Sequence, residues 1–214
     1  MKSIATLVAV GLLAASTQAF AGEYEITVTN LTRGQSFTPI LVATHRPGVT
    51  LFSEGEPASA ELAAMAEGGD TGPLTNVLRA NPRVYNVTTI PGRLAPGASA
   101  TVRVNMDDGY NRLTLGAMLI PTNDGFFAFE GVRGPSRGNM VSYESPVYDA
   151  GSEPNDEVCL HIPGPVCGGE GGSPTAGGEG YVHIHAGIHG IGDLVAADRD
   201  WRNPAAKVVI KRID

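Results

Sequence analysis

Residues 23–30 read EYEITVTN, with Tyr24, Ile26 and Val28 on one side of an alternation and polar side chains on the other. A period of two predicts a half-buried β-strand. SFTPILVATH (36–45) continues as a strand with an apolar middle, and Pro39 within it predicts an edge or a bend. The period then changes. In PASAELAAMAEGGD (57–70), Leu62, Met65 and Ala66 fall at helical spacing, Pro57 suits a first turn, and Gly68-Gly69 stops the helix. TGPLTNVLRANP (71–82) predicts a second short helix ended by Pro82. Thereafter strand follows strand: RVYNVTTI, ASATVRVNM, RLTLGAMLIPT, GFFAFEGV, MVSYESPVYDA, YVHIHAGI and AAKVVIKRI. RLTLGAMLIPT is almost continuously apolar, as a central strand is, and MDDGYN (106–111) and TNDG (122–125) read as hairpin turns. About eight strands with only two small helices in the connections predict an all-β, antiparallel β-sandwich. No repeat of fixed length divides the chain, and CGGEGGSPTAGGEG (167–180) reads as a long loop within one domain.

The first residues stand apart from this pattern. Lys2, the apolar run IATLVAVGLLAA and the small-x-small triplet Ala19-Phe20-Ala21 predict a signal peptide over residues 1–21, with one sandwich domain over 22–214. The run is too short to span a bilayer, so the mature chain carries no transmembrane anchor on this reading. Export to the periplasm or beyond follows; the signal does not distinguish the two. The formal charge is −7, and losing Lys2 makes it −8. That acidity disfavours nucleic acid and anionic lipid as partners, since both require a basic face. Cys159 and Cys167 lie in CLHIPGPVCGG. In an oxidising compartment they predict a disulfide closing a small loop, with a copper or zinc site of Cys159, His161 and Cys167 as the competing reading.

Two stretches carry candidate chemistry. YDAGSEPNDE (148–157) crowds Asp149, Glu153, Asp156 and Glu157 into nine positions. Ca²⁺ takes six to eight hard oxygens at flexible geometry, so such a loop suits it: Asp149 held at a strand end, Gly151 allowing a tight bend, Glu153 folding back, and Asn155 and Asp156 as further oxygen donors. The competing reading is a solvated acidic loop. In HIHAGIHG, His183 and His185 share one face of a strand and His189 lies just beyond. Three imidazoles would suit Cu or Zn, with Glu179 or Asp193 supplementing them; the alternative is packing histidines with satisfied ring nitrogens. No G-x-S-x-G elbow and no H-E-x-x-H helix is present, and nothing marks Ser142 or Ser145 as a nucleophile, so the reading is non-catalytic. Trp201, the lone tryptophan, reads as a cap on the core rather than a sugar-stacking platform.

LGAMLIPTNDGFFAFEGV, VYDAGSEPNDE and GEGYVHIHAGIHGIGDL together resemble the spondin N-terminal domain, known from F-spondin, mindin and many secreted bacterial proteins. The resemblance implies a C2-like sandwich with one calcium at a sheet end. Its turn acid corresponds to Asp124, and the acids of its DAG stretch to Asp149 and Glu153. The animal pattern has aspartate where Glu153 stands and a bulky aromatic where this chain has Gly125. The thrombospondin-type repeats of F-spondin are absent from this sequence. The matrix roles of the animal proteins do not carry over with it; the reading is a non-catalytic, calcium-braced binding or adhesion module, with a protein or glycan of the envelope or matrix as partner. A periplasmic copper or zinc binder using His183, His185 and His189 is the alternative.

Overall fold

The computed structural model describes residues 22–107, 109–172 and 177–214; the expected signal peptide at 1–21 lies outside them. Among the described residues, eleven strands form two antiparallel sheets. The smaller sheet runs β5 (Ser99–Met106), β1 (Gly22–Asn30), β11 (Ala206–Arg212), β8 (Met140–Ser145). The larger runs β10 (His183–Ile184), β9 (Val147–Asp149), β7 (Gly125–Arg133), β6 (Arg112–Ile120), β3 (Ile40–His45), β4 (Val84–Ile90), with β2 (Ser36–Phe37) added against the end of β6.

Side-chain alternation divides the apolar residues between two cores. Ile26, Val28, Val208 and Ile210 of the smaller sheet face Val42, Leu115, Ala117, Phe127, Phe129 and Val147 of the larger. Leu41, Ala43, Phe126 and Ala128 leave the opposite face of the larger sheet and meet Leu62, Met65, Leu74 and Leu78. Those last four belong to α1 (Ala60–Gly68) and α2 (Gly72–Ala80). The helices therefore form a third layer and are more than loop decoration. Burying a side chain such as Leu41 or Phe126 contributes about 1.5–3 kcal/mol, which the helices secure on a face that would otherwise be wet. The same double cover explains β6, in which every residue after Arg112 is buried. Ser59 caps α1 by accepting the Leu62 N–H, and Gly69 ends it in the left-handed conformation at φ 68°.

Several sequence expectations are refined. Pro39 breaks the second predicted strand into β2 and β3. MVSYESPVYDA is also two strands: Ser145 pairs with Ala206 in the smaller sheet, Val147 with Phe127 in the larger, and Pro146 makes the crossing. The hairpin expected at 106–111 is a crossing of the same kind, because β5 and β6 lie in different sheets; Asp108 lies outside the described residues. TNDG does join a true antiparallel pair, β6 and β7. YVHIHAGI contributes only the two residues of β10, and a short helix, α3 (Ala196–Arg199), was not foreseen. Trp201 is 8% exposed within the inter-sheet core, as expected of a cap.

Candidate metal centre

At one end of the larger sheet, the start of β7, the end of β9 and the start of β10 bring one row of residues together. Gly125 pairs with Asp149, and Asp149 with His183. Val147 points into the inter-sheet core, so Asp149, two residues on, leaves the same face. Asp124 precedes Gly125 in the β6–β7 turn and joins from the side, its carbonyl accepting the Ala150 N–H.

Asp124 and Asp149 are both fully buried. Asp124 Oδ2 accepts the N–H groups of Ser152 at 2.9 Å and Glu153 at 3.1 Å, whereas Oδ1 is buried with no hydrogen-bond partner. Burial, followed by the charge of Asp149, pushes the Asp124 carboxyl up to about 7, against the pull of those two backbone donors. Asp149 Oδ1 accepts from Gly151 N at 2.8 Å, and Oδ2 from the Asn155 amide at 2.6 Å. Among the described residues, no lysine or arginine lies within ion-pair distance of either aspartate. Gly151 makes the bend possible: its φ is +64°, and a Cβ there would stand 2.3 Å from the Tyr181 carbonyl oxygen.

The four acids of the 148–157 stretch are crowded only along the chain. Asp149 enters the centre. Glu153 is buried, and its backbone folds onto Asp124. Asp156 turns to His161 Nδ1 at 2.6 Å, the Asn123 amide and the Val158 N–H. Burial opposes its charge, yet Val158, His161 and Asn123 together hold its carboxyl below the ordinary value. Glu157, at φ 57°, places its carboxylate on the N–H groups of His189, Gly190 and Ile191. Asp156 is thus committed away from the Asp124–Asp149 pair. Asn155 presents its amide nitrogen to Asp149 and, at 3.4 Å, to Glu179, so it acts as a donor between two carboxylates. The Glu157 clamp escaped the sequence reading because all its donors lie more than thirty residues away.

The histidines divide similarly. His183 donates from Nδ1 to the Ile184 carbonyl at 3.0 Å, which turns Nε2 inward, 3.6 Å from Asp149 Oδ1 and 3.8 Å from Glu179 Oε2. Burial works against its charge, but the Ile184 carbonyl and the carboxylates of Asp149, Glu179 and Asp124 together raise its pKa. His185 is buried against Trp201, with ring centroids 5.1 Å apart, and its Nδ1 accepts the Gly187 N–H. A neutral ring accepting at Nδ1 carries its proton on Nε2, which faces Asp149 Oδ2 at 3.9 Å. Burial lowers the His185 pKa and keeps the ring neutral. His189 is exposed, and its backbone N–H serves Glu157. The structure therefore brings His183 and His185 to Asp149 but does not gather His183, His185 and His189 into one cluster. Asp193 accepts the Cys159 N–H and staples two loops. Among the described residues, the group whose ligand atoms lie within 4.8 Å of one another is Asp149, Glu179 and His183.

Cys159 and Cys167 are joined in a disulfide. That removes both thiolates from the competing Cys159–His161–Cys167 metal reading, and His161 is engaged by Asp156.

Residues 15–136, more than half of the chain, match the Spondin_N family. The chain belongs to the Spondin_N family. The matched segment includes Asp124 but ends before Asp149, so the second half of the centre lies outside it. No curated protein matches the chain. Spondin_N domains are secreted, and the disulfide accords with export. No helix among the described residues is long and apolar enough to cross a membrane.

Proposed function

We propose that this Spondin_N protein is a non-catalytic binding module of the cell envelope or extracellular matrix, its loops braced by calcium at Asp124 and Asp149. One observation carries the reading: two fully buried aspartates stand together, with Asp124 Oδ1 lacking any partner and, among the described residues, no lysine or arginine side chain beside them. A buried carboxylate pair without a cation is costly, and hard oxygen donors on flexible loops suit calcium. Asp124, Asp149 and Glu153 are the residues assigned to the ion. When bound, the ion supplies charge that neutralises the pair and holds the turn after β6 to the loop after β9. The chain's own part is positional: Ser152 and Glu153 aim Asp124, Gly151 and Asn155 aim Asp149, and the Glu157 clamp holds the 189–191 loop alongside. Those loops form the surface offered to a protein or glycan partner.

The test is a melting curve after exhaustive chelation, with metal content measured in parallel. Chelator is expected to lower the transition and calcium to restore it, by about 2.7 kcal/mol at a hundredfold excess over the dissociation constant. An unchanged curve with no calcium in the protein as isolated defeats the reading. Affinity capture from envelope extracts, with and without calcium, then asks whether the braced loops bind a partner.

A further inference from the structure

We propose a second metal site, selective for a borderline transition ion of the zinc class, formed by His183 Nε2, Glu179 and Asp149, with Asp149 shared between it and the calcium centre. This goes beyond the calcium reading and borrows only Asp149 from it.

Three features of the structure point there. The first is the state of His183. A carbonyl oxygen only accepts, so the bond from Nδ1 to Ile184 fixes a proton on Nδ1, and in the neutral ring Nε2 carries the lone pair that a ligand needs. An imidazole oriented through its other nitrogen by a backbone carbonyl is the usual support of a metal-bound histidine. Nε2 is buried and has no hydrogen-bond partner. The second is spacing. Nε2 stands 3.6 Å from Asp149 Oδ1 and 3.8 Å from Glu179 Oε2, beyond hydrogen-bond length for either. Donors about 2.0–2.1 Å from one tetrahedral ion lie about 3.4 Å apart, so Nε2 is within a few tenths of an ångström of ligand spacing from each carboxylate, and the three ligand atoms all lie within 4.8 Å of one another.

The third is His185, whose side chain is only 2% exposed and whose Nε2, also without a hydrogen-bond partner, is aimed at Asp149 Oδ2. Because its Nδ1 accepts from Gly187, this Nε2 carries the proton of the neutral ring and has no lone pair for an ion; at 3.9 Å it faces Asp149 without bonding to it. It therefore walls the far side of the shared carboxylate without competing for the ion. Asn155, bonded to Asp149 and Glu179 together, spans the two carboxylates. One imidazole nitrogen with two carboxylates suits zinc better than calcium, which prefers oxygen throughout. The arrangement also separates this site from a three-histidine cluster, since His189 plays no part.

Zinc titrated calorimetrically into the metal-stripped protein, in saturating calcium, is expected to fill one site per chain. H183Q should weaken zinc at least about tenfold while leaving the calcium-induced rise in melting temperature in place; E179Q should weaken it by a comparable or smaller factor. H189A should bind as the parent does. Cobalt(II) loaded in place of zinc should show visible d–d bands that vanish in H183Q. Absence of zinc uptake, undiminished affinity in H183Q, loss of binding in H189A, or one-for-one displacement of zinc by calcium would each overturn the proposal. Zinc binding that survives in a protein whose melting ignores calcium would refute the calcium reading and leave this one standing.

Discussion

Replacing Asp124 by asparagine tests the centre because the sign of its effect should depend on the ion. In the metal-free protein Asp124 is held at about 7 instead of 3.8, chiefly by burial and then by Asp149. A carboxyl with a raised pKa binds its proton more tightly in the folded state. Metal-free stability therefore falls as pH climbs from about 4 towards about 7 and levels off above that. At about 1.4 kcal/mol per pH unit, the gap amounts to roughly 4 kcal/mol at pH 8. The asparagine never ionises and keeps an oxygen for the Ser152 and Glu153 N–H groups, but its amide nitrogen takes the place of the unpartnered Oδ1. Subtracting about 1–2 kcal/mol for that unsatisfied donor leaves a net gain of about 2–3 kcal/mol in chelator, or about 4–12 °C in Tm for a chain of this size. In saturating calcium the same substitution removes a ligand and should destabilise. Thermal and urea unfolding of D124N and the parent, at pH 5 and pH 8, each with chelator or calcium, reads this directly. Equal destabilisation of D124N in chelator and calcium at pH 8 would refute the reasoning.

Two further substitutions probe the supports. Glu157→Ala strands three backbone N–H groups of the 189–191 loop, and should cost about 3 kcal/mol in urea unfolding while speeding amide exchange at those residues specifically. Gly151→Ala demands a left-handed φ and a Cβ 2.3 Å from the Tyr181 oxygen, so it should lower stability by more than about 3 kcal/mol and abolish the calcium response, checked by the same melts.

The strands were legible because their alternation is local: β1 alternates buried and half-buried along its whole length, as EYEITVTN predicts. The helical spacing of Leu62, Met65 and Ala66 was equally plain, but not its destination on the outer face of the larger sheet, since nothing nearby names Phe126 and Ala128 as its partners. Proline marked breaks, yet whether the chain stays in its sheet after Pro146 is decided by distant strands, β11 about sixty residues further on and β7 about twenty residues back. The candidate centre divides in the same way. Asp149 at a strand end and the bend at Gly151 could be read from the stretch itself, whereas Asp124 came from the resemblance. Asp156 and Glu157 looked like companions of Asp149 because sequence distance was the only distance visible; their true neighbours, His161 and the 189–191 loop, are brought in by the fold. Same-face spacing placed His183 and His185 correctly. It said nothing of their tautomers, on which the difference between a ligand and a donor rests.

The pairing of Gly125, Asp149 and His183 across three strands means that the backbone ladder itself aligns the centre. Strand residues face alternate sides, so deleting one residue from β9 would send Asp149 outward toward the helices and bring Tyr148 inward. Chemistry at this end of the molecule is consequently free to change by exchange of side chains, but closed to insertions or deletions within those three strands. Length variation among related chains should therefore fall in the loops beyond the ladder.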